Sequence, residues 1–393
     1  MGRATAAAVG LAVVMAAAVS PVAWAADWIV NPTLTVGIDN DTNRLLTSPA
    51  IASRGLSMSV DTRFERDTER LKLALRPYGQ LERYTDARLN HTDGEGIDAT
   101  ATWLQTERSS LRLHALLQDA STLYAELTGT GIIHVGQRRR DEDVDGTWAF
   151  QQTERWTLQL GGTYDTSNYH GAGVTALTDY RQALGTATES LACTERLTLS
   201  LAASAGDAHT TGAEQSTRFE SVGAGFQWQP SERASVQGSG GASRQTTGTL
   251  ASTTVVGTLS ISYSTELSRF TLSAQRQMQP SGFGIFTQVD QATLSWTRDL
   301  APRLSLASQA EVYRDTSAFR SPFISFTYAD RTYSDAHLRL SWQQTPVWTL
   351  ALQLLYDRAD SPRSFLIPPG LHAHGWQVSL QSVWVPLGAS LSR

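Results

Sequence analysis

The run Leu56-Ser57-Met58-Ser59-Val60-Asp61-Thr62-Arg63-Phe64 sets an apolar side chain at almost every second position, with Ser, Asp and Arg between. Alternation with period two is what a strand with one oily and one polar face requires, because successive side chains point to opposite sides. The scheme returns in Leu71-Lys72-Leu73-Ala74-Leu75, in Arg196-Leu197-Thr198-Leu199-Ser200-Leu201, and in Val255 to Tyr263, Ala336 to Trp342 and Trp376 to Leu380. Strands of about ten residues recur from one end of the chain to the other, and no stretch carries helical periodicity.

A short motif punctuates these strands. It reads Thr68-Glu69-Arg70, Thr106-Glu107-Arg108, Thr153-Glu154-Arg155, Thr194-Glu195-Arg196, Ser231-Glu232-Arg233 and Thr265-Glu266-Leu267, with degenerate versions at Pro302-Arg303 and Thr345-Pro346. Successive Glu positions stand 38, 47, 41, 37 and 34 residues apart, so each period holds two strands and one longer loop. Eight such turns and a strand at each end predict 18 strands, with 16 as the alternative because Ala234 to Thr246 is rich in Gly and Ser. The longer connections are rich in Asp, Asn, Thr, Ser, Gly and Pro, as loops are.

Short turns on one side and long loops on the other are the asymmetry of a bacterial outer-membrane barrel, with the short turns facing the periplasm. Trp103, Trp148, Trp156, Trp228, Trp296, Trp342 and Trp348 lie near short turns, while Tyr84, Tyr164, Tyr180, Tyr313, Tyr333 and Tyr356 lie near long loops. Two aromatic belts at headgroup level account for that placement. A β-propeller also repeats at about 40 to 45 residues, but needs four short strands per blade rather than two long ones. The fold class predicted is therefore an all-β, antiparallel, up-and-down transmembrane barrel.

Length and composition agree with this. The 393 residues are 41% hydrophobic and 18% charged, with one Cys and a formal charge of −5. One domain is expected over residues 26–393, following a cleaved signal peptide at 1–25 with Arg3, an apolar Ala6–Val19 stretch and an Ala23-Trp24-Ala25 cleavage site. Export places the chain in the outer membrane of a Gram-negative-type bacterium, with outer-membrane lipid as its first partner. Lys72 is the only lysine and the balance is acidic, so nucleic-acid binding is disfavoured.

If the apolar face meets lipid, the residues between point into the lumen. That assigns Asp61, Arg63, Glu65, Lys72, Arg76, Gln80, Glu82, Arg112, His114, Gln275, Gln277, Gln309, Glu311, His337 and Arg339 to the inner wall, with Tyr78 and Tyr313 as its few aromatics. They read as the solvated lining of a pore, or as a track for polar solutes such as sugars. The longest connection, drawn over 119–143, carries Arg138-Arg139-Arg140 followed by Asp141-Glu142-Asp143. Such a loop either folds inward as a charged constriction or pairs its own charges at the surface.

Chemistry is weakly marked. No Gly-x-Ser-x-Gly or His-Glu-x-x-His element is present, and His372 and His374 have no Cys or carboxylate set to complete a metal site. No catalytic residues, metal or cofactor are expected. A barrel hydrolase would need a His beside an inward carboxylate at one rim, which makes His114 and His337 the residues to inspect.

The opening Trp28-Ile29-Val30-Asn31-Pro32-Thr33-Leu34-Thr35-Val36-Gly37-Ile38-Asp39-Asn40-Asp41-Thr42-Asn43, with the repeated Thr-Glu-Arg turns, resembles the β-barrel porin-2 type proteins and the outer-membrane barrels of exopolysaccharide operons. The resemblance implies a monomeric outer-membrane barrel that passes or exports polysaccharide with periplasmic export components, and it carries no catalytic residues. The chain departs from it in ending Leu387-Gly388-Ala389-Ser390-Leu391-Ser392-Arg393 rather than on an aromatic; either Trp384 serves instead or the last strand runs further. The function predicted is an outer-membrane channel or exporter for polar solute, exopolysaccharide preferred. The alternatives are a plugged adhesion barrel that binds through its long loops and, less favoured, a hydrolase.

Overall fold

The structure is a computed structural model that describes residues 28–46, 49–86, 89, 92–122, 137–171, 177–211, 215–281, 286–317, 331–361, 371–386 and 389–391. The expected signal segment at 1–25 lies outside them. In chain order the strands are β1 Trp28–Asp41, β2 Ser53–Asp67, β3 Leu71–Tyr84, β4 Gly94–Thr106, β5 Ser109–Ser121, β6 Gln137–Gln151, β7 Trp156–Gly171, β8 Tyr180–Thr194 and β9 Leu197–Thr210. They continue as β10 Gln215–Ser231, β11 Ala234–Thr247, β12 Leu250–Ser264, β13 Ser268–Pro280, β14 Phe286–Ala301, β15 Leu304–Ser317, β16 Arg331–Thr345, β17 Trp348–Ser361, β18 Leu371–Trp384 and β19 Ala389–Leu391.

Each of the first eighteen strands pairs antiparallel with its neighbours in sequence, and β1 closes the sheet on β18 from Leu34↔Trp384 to Asp41↔Gln377. Eighteen long strands make the wall, as the turn count predicts. The short β19 continues the last strand and pairs Ala389 to Leu391 with Val30 to Trp28, so the last strand does run past Trp384. Closure gives every long strand a partner on both sides, which is the condition for strands to sit in hydrocarbon.

The recurring Thr has a specific task at the short turns. Thr68 Oγ1 accepts from the Leu71 N–H at 2.9 Å, and Thr153, Thr265 and Thr345 accept from Trp156, Ser268 and Trp348. A hydroxyl that satisfies the backbone within the turn replaces a ladder partner where the chain reverses.

The outer face is apolar and exposed, as a barrel in lipid needs. Ile38, Leu56, Leu201, Val222, Val255, Leu294 and Leu352 stand 49–67% exposed although large and hydrophobic. Trp103, Trp156, Trp228, Trp342, Trp348 and Trp384 lie on this face next to the short turns, in the predicted belt. The tyrosine belt needs correction. Tyr164 and Tyr356 face outward, but Tyr84, Tyr180, Tyr313 and Tyr333 register with inward positions. Nearness to a loop fixes a residue's height in the wall, whereas parity fixes its side.

Candidate functional site: the lumen

Cross-strand register carries one parity around the whole wall. Asp61 stands opposite Tyr78, Gly96 links Tyr78 to Gln118, and Gln118 meets Asp141, so one inner row runs through β2 to β6. By the same register Arg63, Glu65, Lys72, Arg76, Gln80, Glu82, Arg112 and His114 share this face, as do Gln275, Gln277, Gln309, Glu311, His337 and Arg339 farther round.

The run Arg138 to Asp143 is not a loop. It lies in β6, and β5 reaches Ser121, which leaves 123–136 outside the described residues. Alternation then splits the run: Arg139, Asp141 and Asp143 point inward, while Arg138, Arg140 and Glu142 share the outer face with Val144 and Trp148. Both faces are polar here because β6 has risen above the apolar band, and a two-sided polar strand reads as a loop when alternation of hydrophobicity is the guide.

Charge divides the lumen into two walls. The inner positions of β8 to β12 carry no charged side chain; they are Ser, Thr, Gln, Gly and Ala, with Tyr180, Leu184, Phe219, Leu250 and Val256. The charges lie on β1 to β7 and β15 to β17, with Arg269 and Asp299 at the short-turn ends of β13 and β14 as exceptions. Carboxylates outnumber cations among them. Arg63 pairs with Glu65 at 2.6 Å, Lys72 with Asp67 at 3.1 Å, Arg76 with Asp61, and Arg139 with Asp141 at 2.6 Å. These four pairs still leave the inward carboxylates in excess. Asp143 faces Asp165 across β6 and β7, and Glu311, Asp335 and Asp357 form a row across β15, β16 and β17.

Of the two histidines to inspect, His114 does stand beside inward carboxylates. Its Nδ1 lies 2.8 Å from Asp145 and its Nε2 3.3 Å from Asp98, so both ring nitrogens face carboxylates. The Nε2 that a triad histidine turns to a hydroxyl nucleophile is here turned to a second carboxylate, 3.3 Å away. His337 registers with Gln309 and Leu355 and has no carboxylate directly opposite.

Two elements narrow the opening on the long-loop side. The first is the start of the β1–β2 connection. Leu46, at φ 45°, packs with Val289, Tyr313, Tyr333, Ala359 and Ala373 on the inner faces of β14 to β18. Asn43 Nδ2 donates to the His374 carbonyl at 3.1 Å, and Arg44 donates to Gln377 Oε1 at 2.6 Å. A Cβ on Gly375 would stand 3.0 Å from the Asn43 carbonyl oxygen, so a side chain there would push the loop off the wall.

The second is the upper end of the β13–β14 hairpin. Gln277, Met278, Gln279 and Pro280 line a cavity of about 370 Å³ together with Gln118, Arg139, Asp141, Asp143, Asp165, Tyr169, Tyr180 and Gln182, which belong to β5 to β8. Phe286 reaches Phe219 of β10 at 6.1 Å between ring centroids. Contacts with strands four and more places away mean that the hairpin end leans into the lumen. The constriction is thus built by this hairpin, set against Arg139, Asp141 and Asp143 of β6, and by the Asn43–Leu46 segment.

At the rim, Asp93 takes hydrogen bonds from Arg83, at 2.6 Å, and from the Glu82 N–H, at 3.0 Å. Burial pushes its carboxyl upward, but these donors outweigh that and hold it below the usual carboxylate range.

No protein-family model matches the chain, and no curated protein matches it in sequence. Among solved structures it is similar to OccK3 (OpdO) of Pseudomonas aeruginosa, with 13% identity, 92% of this chain and 96% of that one covered, and a TM-score of 0.47. It is similar also to OpdQ of the same organism, with 11% identity, 92% and 99% coverage and a TM-score of 0.48. A third is OccAB2 of Acinetobacter baumannii, with 10% identity, 92% and 98% coverage and a TM-score of 0.47.

Proposed function

We propose that the protein is a non-enzymatic channel of the outer membrane of a Gram-negative-type bacterium, that it passes small polar solutes, and that it prefers cations. The observation that carries this is the contrast between an exposed apolar outer face and an inner face whose carboxylates exceed its cations. A narrow aqueous path with low-dielectric walls focuses the field of such a surplus, drawing in one sign of ion and repelling the other. The purified protein in a planar bilayer under a KCl gradient tests it. A current whose reversal potential favours K⁺ is expected; chloride preference would overturn the sign of the proposal, and no current at all would favour the plugged adhesion barrel.

Saccharide is the second reading, and the uncharged wall of β8 to β12 favours it, since Ser, Thr and Gln side chains can exchange hydrogen bonds with sugar hydroxyls without binding them tightly. On this reading the cargo is a thin, extended exopolysaccharide handed over by periplasmic export components. Brief current blocks by neutral oligosaccharides, lengthening with chain length, are the expected result; current indifferent to them would remove the reading.

A further inference from the structure

The wall is not paired to its full height. The β12–β13 ladder runs from Ser264↔Arg269 only to Gly257↔Arg276, although β12 continues to Leu250 and β13 to Pro280. Above that point β12 pairs with β11 alone and β13 with β14 alone. Every other neighbouring pair of long strands has a longer ladder, apart from β1–β18, which is extended by β19. The cause is the hairpin that leans inward: its end has left the wall to meet β5 to β8 and β10.

We infer that the wall is open laterally between β12 and β13, and that this opening passes a single-chain amphiphile with a neutral, hydroxyl-rich head group between the lumen and the outer half of the bilayer. Unpaired strand edges in hydrocarbon cost several kcal/mol per polar group, so the gap must be wetted from the lumen or filled by groups that offer hydrogen bonds. Val255 beside the gap continues the outer apolar row of Tyr263, Ile261 and Leu259, so the gap adjoins the apolar band. At it a cavity of about 540 Å³ has an apolar part, Leu259, Ala274, Ala292 and Val312, which suits an alkyl chain, and a polar part that includes Arg276, Asp290 and Arg314. Inside it lies the uncharged wall, with Ser239, Ser243, Thr254 and Thr258 nearest. That wall offers hydroxyls and no charge to a head group. Arg276 at the rim is paired with Asp290 at 2.5 Å and presents no bare cation to an anionic head. An alkyl glycoside has this combination, and the inference rests on the lumen being open to polar solutes.

The experiment uses the full-length protein carrying Cys193→Ser, reconstituted in vesicles. A bimane label on Val256→Cys, an inward position at the gap, is compared with one on Ser221→Cys on the inner wall of β10. Several-fold stronger quenching at Val256 by spin-labelled lipid is expected, and equal, weak quenching at both would overturn the inference. In a second arm, Thr254→Cys with Gln279→Cys stand where the ladder would continue if it zipped. Oxidation of that pair is expected to lower entry of dodecyl maltoside into cyclodextrin-loaded vesicles several-fold, reversibly by reductant, while maltose entry is kept. Dodecyl maltoside entry unchanged by a formed disulfide would overturn the passage. Should the pair stay reduced under oxidant, the gap is wide and the lipid quenching decides. Maltose flux reports the open lumen separately, so failure of the lateral route and failure of the channel are told apart.

Discussion

Phe286 at the start of β14 packs against Phe219 on the inner wall of β10, their ring centroids 6.1 Å apart and inclined by 44°. Three strands separate them along the wall, so the contact spans part of the lumen and anchors the hairpin end in its inward position. Phe286 is 5% exposed, and Phe219 leaves no room for a side chain on Gly206 behind it.

Removing that anchor should open the channel. Phe286→Ala deletes a buried aromatic, a change of the kind that costs about 3–5 kcal/mol in a packed core. Here the loss falls on the hairpin end, because the ladders that close the barrel are untouched. Single-channel conductance should rise, while the folded protein keeps its shifted migration on unheated gels. Unaltered conductance would mean that the hairpin is held by other contacts.

The β1–β2 segment makes a parallel case. Leu46 holds a left-handed backbone, which costs a non-glycine residue roughly 1–2 kcal/mol, and burial of its side chain among Tyr313, Tyr333 and Val289 offsets this. Leu46→Asp puts a charge among those groups and should expel the segment. Access of a soluble thiol reagent to Ala373→Cys, in a Cys193→Ser background, should then quicken; an unchanged rate would show that Asn43 and Arg44 suffice to hold it.

Selectivity should follow the carboxylates. Asp143→Asn with Asp165→Asn removes two facing acids from the wall of the 370 Å³ cavity without changing side-chain size. The reversal potential under a KCl gradient should move toward zero, more so at low salt because screening weakens at low ionic strength. Asp335→Asn, in the second acidic row, should act in the same direction. A shift the other way would place the ion path elsewhere.

How far the sequence could be read depends on which force set each feature. Alternation at Leu56 to Phe64 and the Thr at each short turn are local, and they fixed strand number, closure and the inner parity of residues such as Asp61, Arg76 and Glu311. Arg138 to Asp143 misled because a strand that is polar on both faces has no hydrophobic period. The inward segment left one local trace, the apolar pair Leu45-Leu46 within an otherwise polar loop. Leu45 packs with Tyr84 and Leu89, and Leu46 with β14 to β18. The lean of Gln277 to Pro280 toward β5 to β8 left none, since it depends on strands far off in the chain.

Leu201 and Ser200 test the two faces against each other at one height. Leu201 is 67% exposed, midway along the outer apolar row of β9 between Leu197 and Ala205, and registers with Ala224; Ser200 points inward opposite Ser190 and Gly225. An arginine near the middle of the lipid face of a barrel costs about 2–4 kcal/mol, whereas one in a hydrated lumen keeps its water. Leu201→Arg should therefore lower the denaturant midpoint of refolding into vesicles and leave selectivity alone. Ser200→Arg should leave that midpoint nearly unchanged and weaken the preference for cations, because it sets a positive charge on a wall that has none. If the two substitutions cost the same stability, the face assigned to lipid is not in lipid, and the division between an oily outside and a conducting inside fails with it.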